Sequence, residues 1–239
     1  MNPFSDFTAR HKLFVVLVVV FSASLLLGDI IGGKTLSTVL GPISVGILPF
    51  PVTFLLTDVV NDFYGRAGAR FITFVGFGVA MYAYFILQIG TRLPVDASTY
   101  FTQVEFEKIF GGSAVLFVAS MIAYLLGQFL DIHVFQFWKR LTQSRHLWLR
   151  ATGSTVISQL VDTITINTLF WGWTATASAD SFLAKMDTSA RWTWIAQKIG
   201  REYGIKVLVA FMLTPVVYAI HRWIIAQLKI EAAAHEGAS

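Results

Sequence analysis

Three aspartates, Asp58, Asp131 and Asp162, each lie inside an otherwise apolar stretch of membrane length. Two of them follow a glutamine by three residues, in Gln128-Phe129-Leu130-Asp131 and Gln159-Leu160-Val161-Asp162. An ionisable group inside a bilayer costs roughly 2.5–3.5 kcal/mol on insertion scales, so such groups are rare and usually face a pathway or a partner. A carboxylate only accepts hydrogen bonds, whereas an amide both donates and accepts. Carboxylate and amide on one helix face can therefore read a solute that carries both kinds of polar group. Residues three or four apart share a helix face. Tyr124, Gln128 and Asp131 form one stripe, and Thr155, Gln159 and Asp162 form another. Thr53, Thr57 and Asn61 make a third, with Asp58 and Asp62 beside it. The plainer alternative is polar contact between helices, worth about 0.6 kcal/mol per hydrogen bond on average. That suits Ser120, Ser154 and Ser158, but it has no need of charge. Asn167 fits either role, and Lys206 is a plausible ion-pair partner for one of the acids.

The elements that carry these residues follow from composition. Of the 239 residues 55% are hydrophobic and 13% charged, with mean hydropathy +0.65. A soluble domain carries about 25% charge, so the chain reads as an all-α, polytopic membrane protein. Apolar runs of crossing length, about 20 residues, fall at roughly 13–31, 41–62, 69–90, 112–131, 153–173 and 204–225. Six spans place both termini on one side. Ten Lys and Arg flank the spans on that side and seven on the other, and the dense group Lys139, Arg140, Arg145 and Arg150 makes the terminal side cytoplasmic. Phe14–Leu27 reads as a retained first span and not as a cleaved leader, because Ser22-Ala23-Ser24 lies within the apolar run. The seven tryptophans fall near predicted helix ends, as an interfacial aromatic belt requires. The excess of four positive charges reads as membrane orientation and not as nucleic-acid binding.

The second span is interrupted. Gly41-Pro42, Gly46 and Pro49-Phe50-Pro51 precede a clean helical run. From Pro51 to Asp62 is twelve residues, ~18 Å of helix at 1.5 Å per residue, too short to cross alone. The chain between Leu40 and Pro51 is therefore expected to be partly non-helical at membrane depth. Irregular backbone survives there only inside protein or along a polar cavity, and interrupted spans point to transport sites.

Catalytic signatures fail one by one. Gly28-Asp29-Ile30-Ile31-Gly32-Gly33-Lys34-Thr35 matches the phosphate-loop pattern, but that loop needs a strand before it and a helix opening at the lysine. A membrane helix precedes this copy, and Gly41-Pro42 follows closely. There is no zinc-protease or serine-hydrolase motif, the five histidines are scattered, and there is no cysteine. His133 reads as a polar residue of a helix end. An Asp131–Asp162 protease dyad lacks the glycine-flanked context such a pair would have. No enzyme, metal or cofactor is expected.

Taken together, three stretches resemble the queuosine-precursor transporters, a family also described as vitamin-uptake transporters. The first is Phe50-Pro51-Val52-Thr53-Phe54-Leu55-Leu56-Thr57-Asp58-Val59-Val60-Asn61-Asp62-Phe63-Tyr64-Gly65-Arg66. The second is Gly127-Gln128-Phe129-Leu130-Asp131, and the third runs from Trp148-Leu149-Arg150 to Ser154–Thr163. Lys206 and Pro215 agree with them. Asp62 departs from the pattern, where glutamate is expected. The resemblance implies import of 7-cyano-7-deazaguanine or 7-aminomethyl-7-deazaguanine, precursors of a modified tRNA base, across the bacterial inner membrane. It involves no direct nucleic-acid contact, and a homodimer is left open. The solute-binding set expected on this basis is Asp58, Asn61, Asp62, Gln128, Asp131, Gln159, Asp162, Asn167 and Lys206. The alternative is a membrane-embedded binding subunit that hands a vitamin-like solute to separate energising proteins.

Overall fold

The computed structural model describes residues 7–32, 34–38, 41–96, 98–110, 114–143, 145–177 and 182–229. Helix α1 (Ala9–Ile31) leads into a short antiparallel hairpin, β1 (Thr35–Thr38) and β2 (Gly41–Ser44), and one 3-10 turn (Val45–Ile47). Then come α2 (Phe50–Phe63), α3 (Gly65–Arg92), α4 (Gln103–Phe110), α5 (Ala114–Leu141), α6 (Leu147–Ala177) and α7 (Thr188–Leu228). Five segments among the described residues are long and apolar enough to cross a membrane: α1, Val45–Phe63, α3, Leu116–Leu141 and α7. The remaining expected span, the fifth, falls on α6, whose 31 residues are long enough but whose inward face is lined with Thr, Ser, Gln and Asp. This is a multi-pass, essentially all-helical membrane protein.

The interruption of the second span takes a definite form. Hairpin and 3-10 turn occupy the stretch before Phe50, and Pro51 sits in the first turn of α2, where its missing N–H would have no helical partner anyway. Leu40, at the edge of the expected irregular stretch, lies outside the described residues, as do residues 112–113 of the expected fourth span. The hairpin is an addition to the all-α expectation. It also answers the phosphate-loop match, of which Gly33 lies outside the described residues. The chain at Thr35 opens a strand, not the helix a phosphate loop needs.

Helix α2 is the hub. It packs against α1, α3, α5, α6 and α7, and Thr53, Phe54 and every residue from Leu56 to Phe63 are buried. Its apolar side joins Leu17 and Phe21 of α1, Ile72 of α3 and Ile132 of α5. The turn out of α2 depends on Gly65, whose φ of 69° is costly for any residue with a Cβ. Outward faces are apolar: Val16 and Val19 of α1, Phe71, Phe74 and Phe85 of α3, and Phe211 and Met212 of α7 are exposed. A surface of that kind fits lipid and not water. Helix α7 is capped by the Asp187 side chain, which accepts from the Ala190 N–H. It starts 16 residues before the apolar run expected from 204, and Pro215 lies within it.

Candidate functional site

On α2 the threonines are made tolerable by local bonding. Thr53 Oγ1 donates to the Phe50 carbonyl at 2.7 Å, and Thr57 Oγ1 to the Thr53 carbonyl at 2.9 Å. Such back-bonding satisfies a hydroxyl without a distant partner. Thr57 Oγ1 also lies 3.2 Å from Gln128 Oε1, joining two of the expected stripes. Asn61 Oδ1 accepts from Gln136 Nε2 at 2.6 Å, and its own amide reaches the Ile132 carbonyl at 3.5 Å. Gln136 was absent from the expected set, although it continues the polar positions of α5 beyond Asp131.

At the end of α2 that is expected to face the cytoplasm, Asp62 is fully engaged. Lys139 Nζ is 2.9 Å from Oδ1, Arg150 Nη2 is 2.7 Å from Oδ2, and His221 Nε2 is 2.9 Å from Oδ2. Lys139 also donates to the Asp62 backbone carbonyl at 3.1 Å. The carboxylate and both cations are 2–3% exposed, so α2, α5, α6 and α7 are tied together by one buried ion cluster. Lys139 and Arg150, read from sequence as charges of a cytoplasmic loop, lie instead inside α5 and α6. The helical spacing Gln128, Asp131, Phe135, Lys139 would have placed the lysine on the inward face.

One layer further in, Asp58 is 5% exposed and Asp131 is wholly buried. Ser158 Oγ donates to Asp131 Oδ1 at 3.1 Å. Asp58 lies within electrostatic range of Asp131, Asp62 and Arg150. Four buried atoms around this level have no hydrogen-bond partner among the described residues: Asp58 Oδ1, Asp131 Oδ2, and both Oε1 and Nε2 of Gln159. Leaving a polar atom buried and unmet costs about 1–3 kcal/mol, more when it is charged. Three helices meet that cost at one level of the bundle.

Above them, Lys206 Nζ is 2.7 Å from Asp162 Oδ2 and 4.6 Å from the centroid of the Phe50 ring. This is the ion pair foreseen for Lys206. Helices α5 and α6 approach closely here, since a Cβ on Gly127 would fall 3.2 Å from Asp162 Cβ. Higher still, Asn167 Nδ2 donates to Glu202 Oε2 at 2.8 Å and to the Thr163 carbonyl at 2.9 Å. Glu202 is also paired with Lys198 one turn before it. Glu202 escaped the sequence reading, and Lys198 was read there as a charge of a non-cytoplasmic loop, because both precede the apolar run of α7. A narrow cleft of about 20 Å³, lined by Phe50, Phe54, Asp58, Thr155, Lys206 and Val217, connects the Lys206 level with Asp58. That volume suits a water molecule, so a larger solute requires the helices to part.

His133 is exposed on α5, bonded to Arg66 and to the Phe129 carbonyl; α5 runs on to Leu141, so the residue stands within the helix and not at its end as expected from the sequence. Asp29 on α1, missed as a polar contact, lies 3.3 Å from Ser120 Oγ, which donates to it. No group of histidine and acidic residues that could hold a metal occurs among the described residues.

A membrane bundle with a ladder of acids, amides and cations through its interior has the build of a solute carrier. Residues 44–220 match the family described as "Putative vitamin uptake transporter", and the chain belongs to that family of transporters, which is not a family of enzymes. A Bacillus subtilis protein named probable queuosine precursor transporter is 33% identical over 182 residues, covering 76% of this chain and 72% of that protein. The Escherichia coli queuosine precursor transporter is 31% identical over 233 residues, covering 92% and 90%. A Haemophilus influenzae protein with the same name as the first is 27% identical over 179 residues, covering 73% and 66%. No solved structure matches the chain.

Proposed function

We propose that this protein imports a queuosine precursor, a 7-deazaguanine such as the 7-cyano or 7-aminomethyl compound, across the bacterial inner membrane. The observation that carries the reading is the set of unmet buried atoms on Asp58, Asp131 and Gln159, in a chain whose relatives are named for such transport. A guanine-like edge presents an exocyclic amine and a ring N–H as donors beside a carbonyl acceptor. A carboxylate accepts from the two donors, and the glutamine amide completes the edge with its own donor and acceptor. Gln128 and Asn61, already bonded to Thr57 and Gln136, hold the walls of the site. The Asp162–Lys206 pair and Asn167 stand on the expected outer side of it. The Asp62 cluster closes the opposite end and opens only as the helices separate.

In this reading the chain crosses six times with both termini in the cytoplasm, and α6 is the fifth span. The test is a cell that cannot synthesise the precursor and is supplied with it externally. Producing this chain there should restore queuosine to tRNA at precursor concentrations where the parent cell has none. Unmodified tRNA, despite folded protein in the membrane, would contradict the proposal.

A further inference from the structure

Along α2, the buried Leu56, Val59, Val60 and Phe63 join the apolar cluster around Phe21, Ile72 and Ile132. Phe54 is also buried, yet it belongs neither to that cluster nor to the one around Phe135 and Leu147. It lines the cleft between α2, α6 and α7 instead. Phe50, Phe54 and Asp58 follow one another at four-residue spacing, so they share a stripe of α2, and all three line that cleft. The Phe50 and Phe54 ring centroids are 4.6 Å apart. Lys206 stands over the Phe50 ring, whereas no cation stands over Phe54 among the described residues.

An aromatic residue at this place does something an aliphatic one does not. The face of a phenyl ring stacks on a planar base, a contact that depends on flat rings and not on hydrogen-bond pattern. One turn of helix rises ~5.4 Å, about the reach of a fused two-ring base. Rings laid on Phe54 therefore bring their polar edge to Asp58, whose Oδ1 has no partner among the described residues. From α7, Val209 and Leu213 supply an apolar wall for the opposite face.

Resting on the deazapurine reading above, we infer that Phe54 is the stacking platform of the site and selects fused, planar bases. The polar side chains read the edge, and Phe54 measures the ring system. The cleft is about 20 Å³, so α7 draws away from α2 as the base slides onto the ring.

The test uses the purified full chain and two neutral probes, 7-cyano-7-deazaguanine and 2-amino-4-pyrimidinone, which has the same polar edge on a single ring. Binding is read by isothermal titration, and thermal unfolding in detergent shows which variants are folded. Phe54→Leu and Phe54→Met keep an apolar side chain without the aromatic face, and Phe54→Tyr keeps the face. The two-ring probe should bind the leucine and methionine variants about five- to a hundredfold more weakly, and the one-ring probe should lose less. The tyrosine variant should bind both probes much as the unsubstituted protein does. Three results would each overturn the inference and leave the deazapurine reading intact: unchanged affinity in a folded leucine or methionine variant, equal losses for the two probes, or a tyrosine variant as weak as the leucine one. Loss of folding in both non-aromatic variants would also overturn it, making Phe54 a packing residue. Failure of the folded, unsubstituted protein to bind the two-ring probe would remove the inference and the reading together.

Discussion

Lys206 on α7 and Asp162 on α6 meet at 2.7 Å, each 15–18% exposed at the side chain, and the lysine stands over the Phe50 ring that begins α2. One contact thus ties three helices at the level where the cleft opens. The pair couples the two residues energetically, so their removal should not be additive. Lys206→Met and Asp162→Asn should each lower the melting temperature in detergent, and the double substitution should cost less than the sum by about 1–3 kcal/mol. Additive effects would mean the two charges act separately.

The Asp62 cluster makes a different prediction. Asp62→Ala leaves Lys139 and Arg150 buried without their carboxylate, and breaking a buried pair in this way costs about 3–5 kcal/mol. Arg150→Met leaves Asp62 still bonded to Lys139 and His221, so it should cost clearly less. Folded yield and thermal unfolding of the two variants check the order. The reverse order would show that Asp62 is not the centre of the cluster.

Gly127 is the third test. Its missing side chain allows Asp162 to pack within 3.2 Å of where a Cβ would stand. Gly127→Val should force α5 from α6 at a cost of about 1–3 kcal/mol, and should displace Asp162 from Lys206 with loss of uptake. Gly127→Ala should do both to a smaller degree. A valine variant of unchanged stability and uptake would refute the close approach.

Local chemistry was readable and distant pairing was not. Prolines and glycines between Gly41 and Pro51 announce the interrupted span, because their backbone constraints act on the spot. The stripes through Thr57, Gln128 and Gln159 follow from helical spacing alone. Which stripe member is already bonded does not: Gln128 meets Thr57 across 71 residues of chain, while the Gln159 amide meets no hydrogen-bond partner among the described residues. Asp62 finds Lys139 and Arg150 across 77 and 88 residues, so no sequence window contains the cluster. Hydropathy hid the first turns of α7, where Lys198, Arg201 and Glu202 dilute the apolar signal. The hairpin Thr35–Ser44 shows no alternation of apolar and polar residues, and nothing in its sequence marks it as a pair of strands.

The central claim is that this chain by itself carries a 7-deazaguanine through its polar interior. Purified protein reconstituted alone into liposomes, given labelled 7-aminomethyl-7-deazaguanine outside, tests it most directly. The account predicts time-dependent entry of label that saturates with concentration and is lost in an Asp58→Asn, Asp131→Asn double variant shown to be folded. No entry above protein-free liposomes, with binding to the purified protein intact, would contradict it and leave a binding subunit that depends on energising partners.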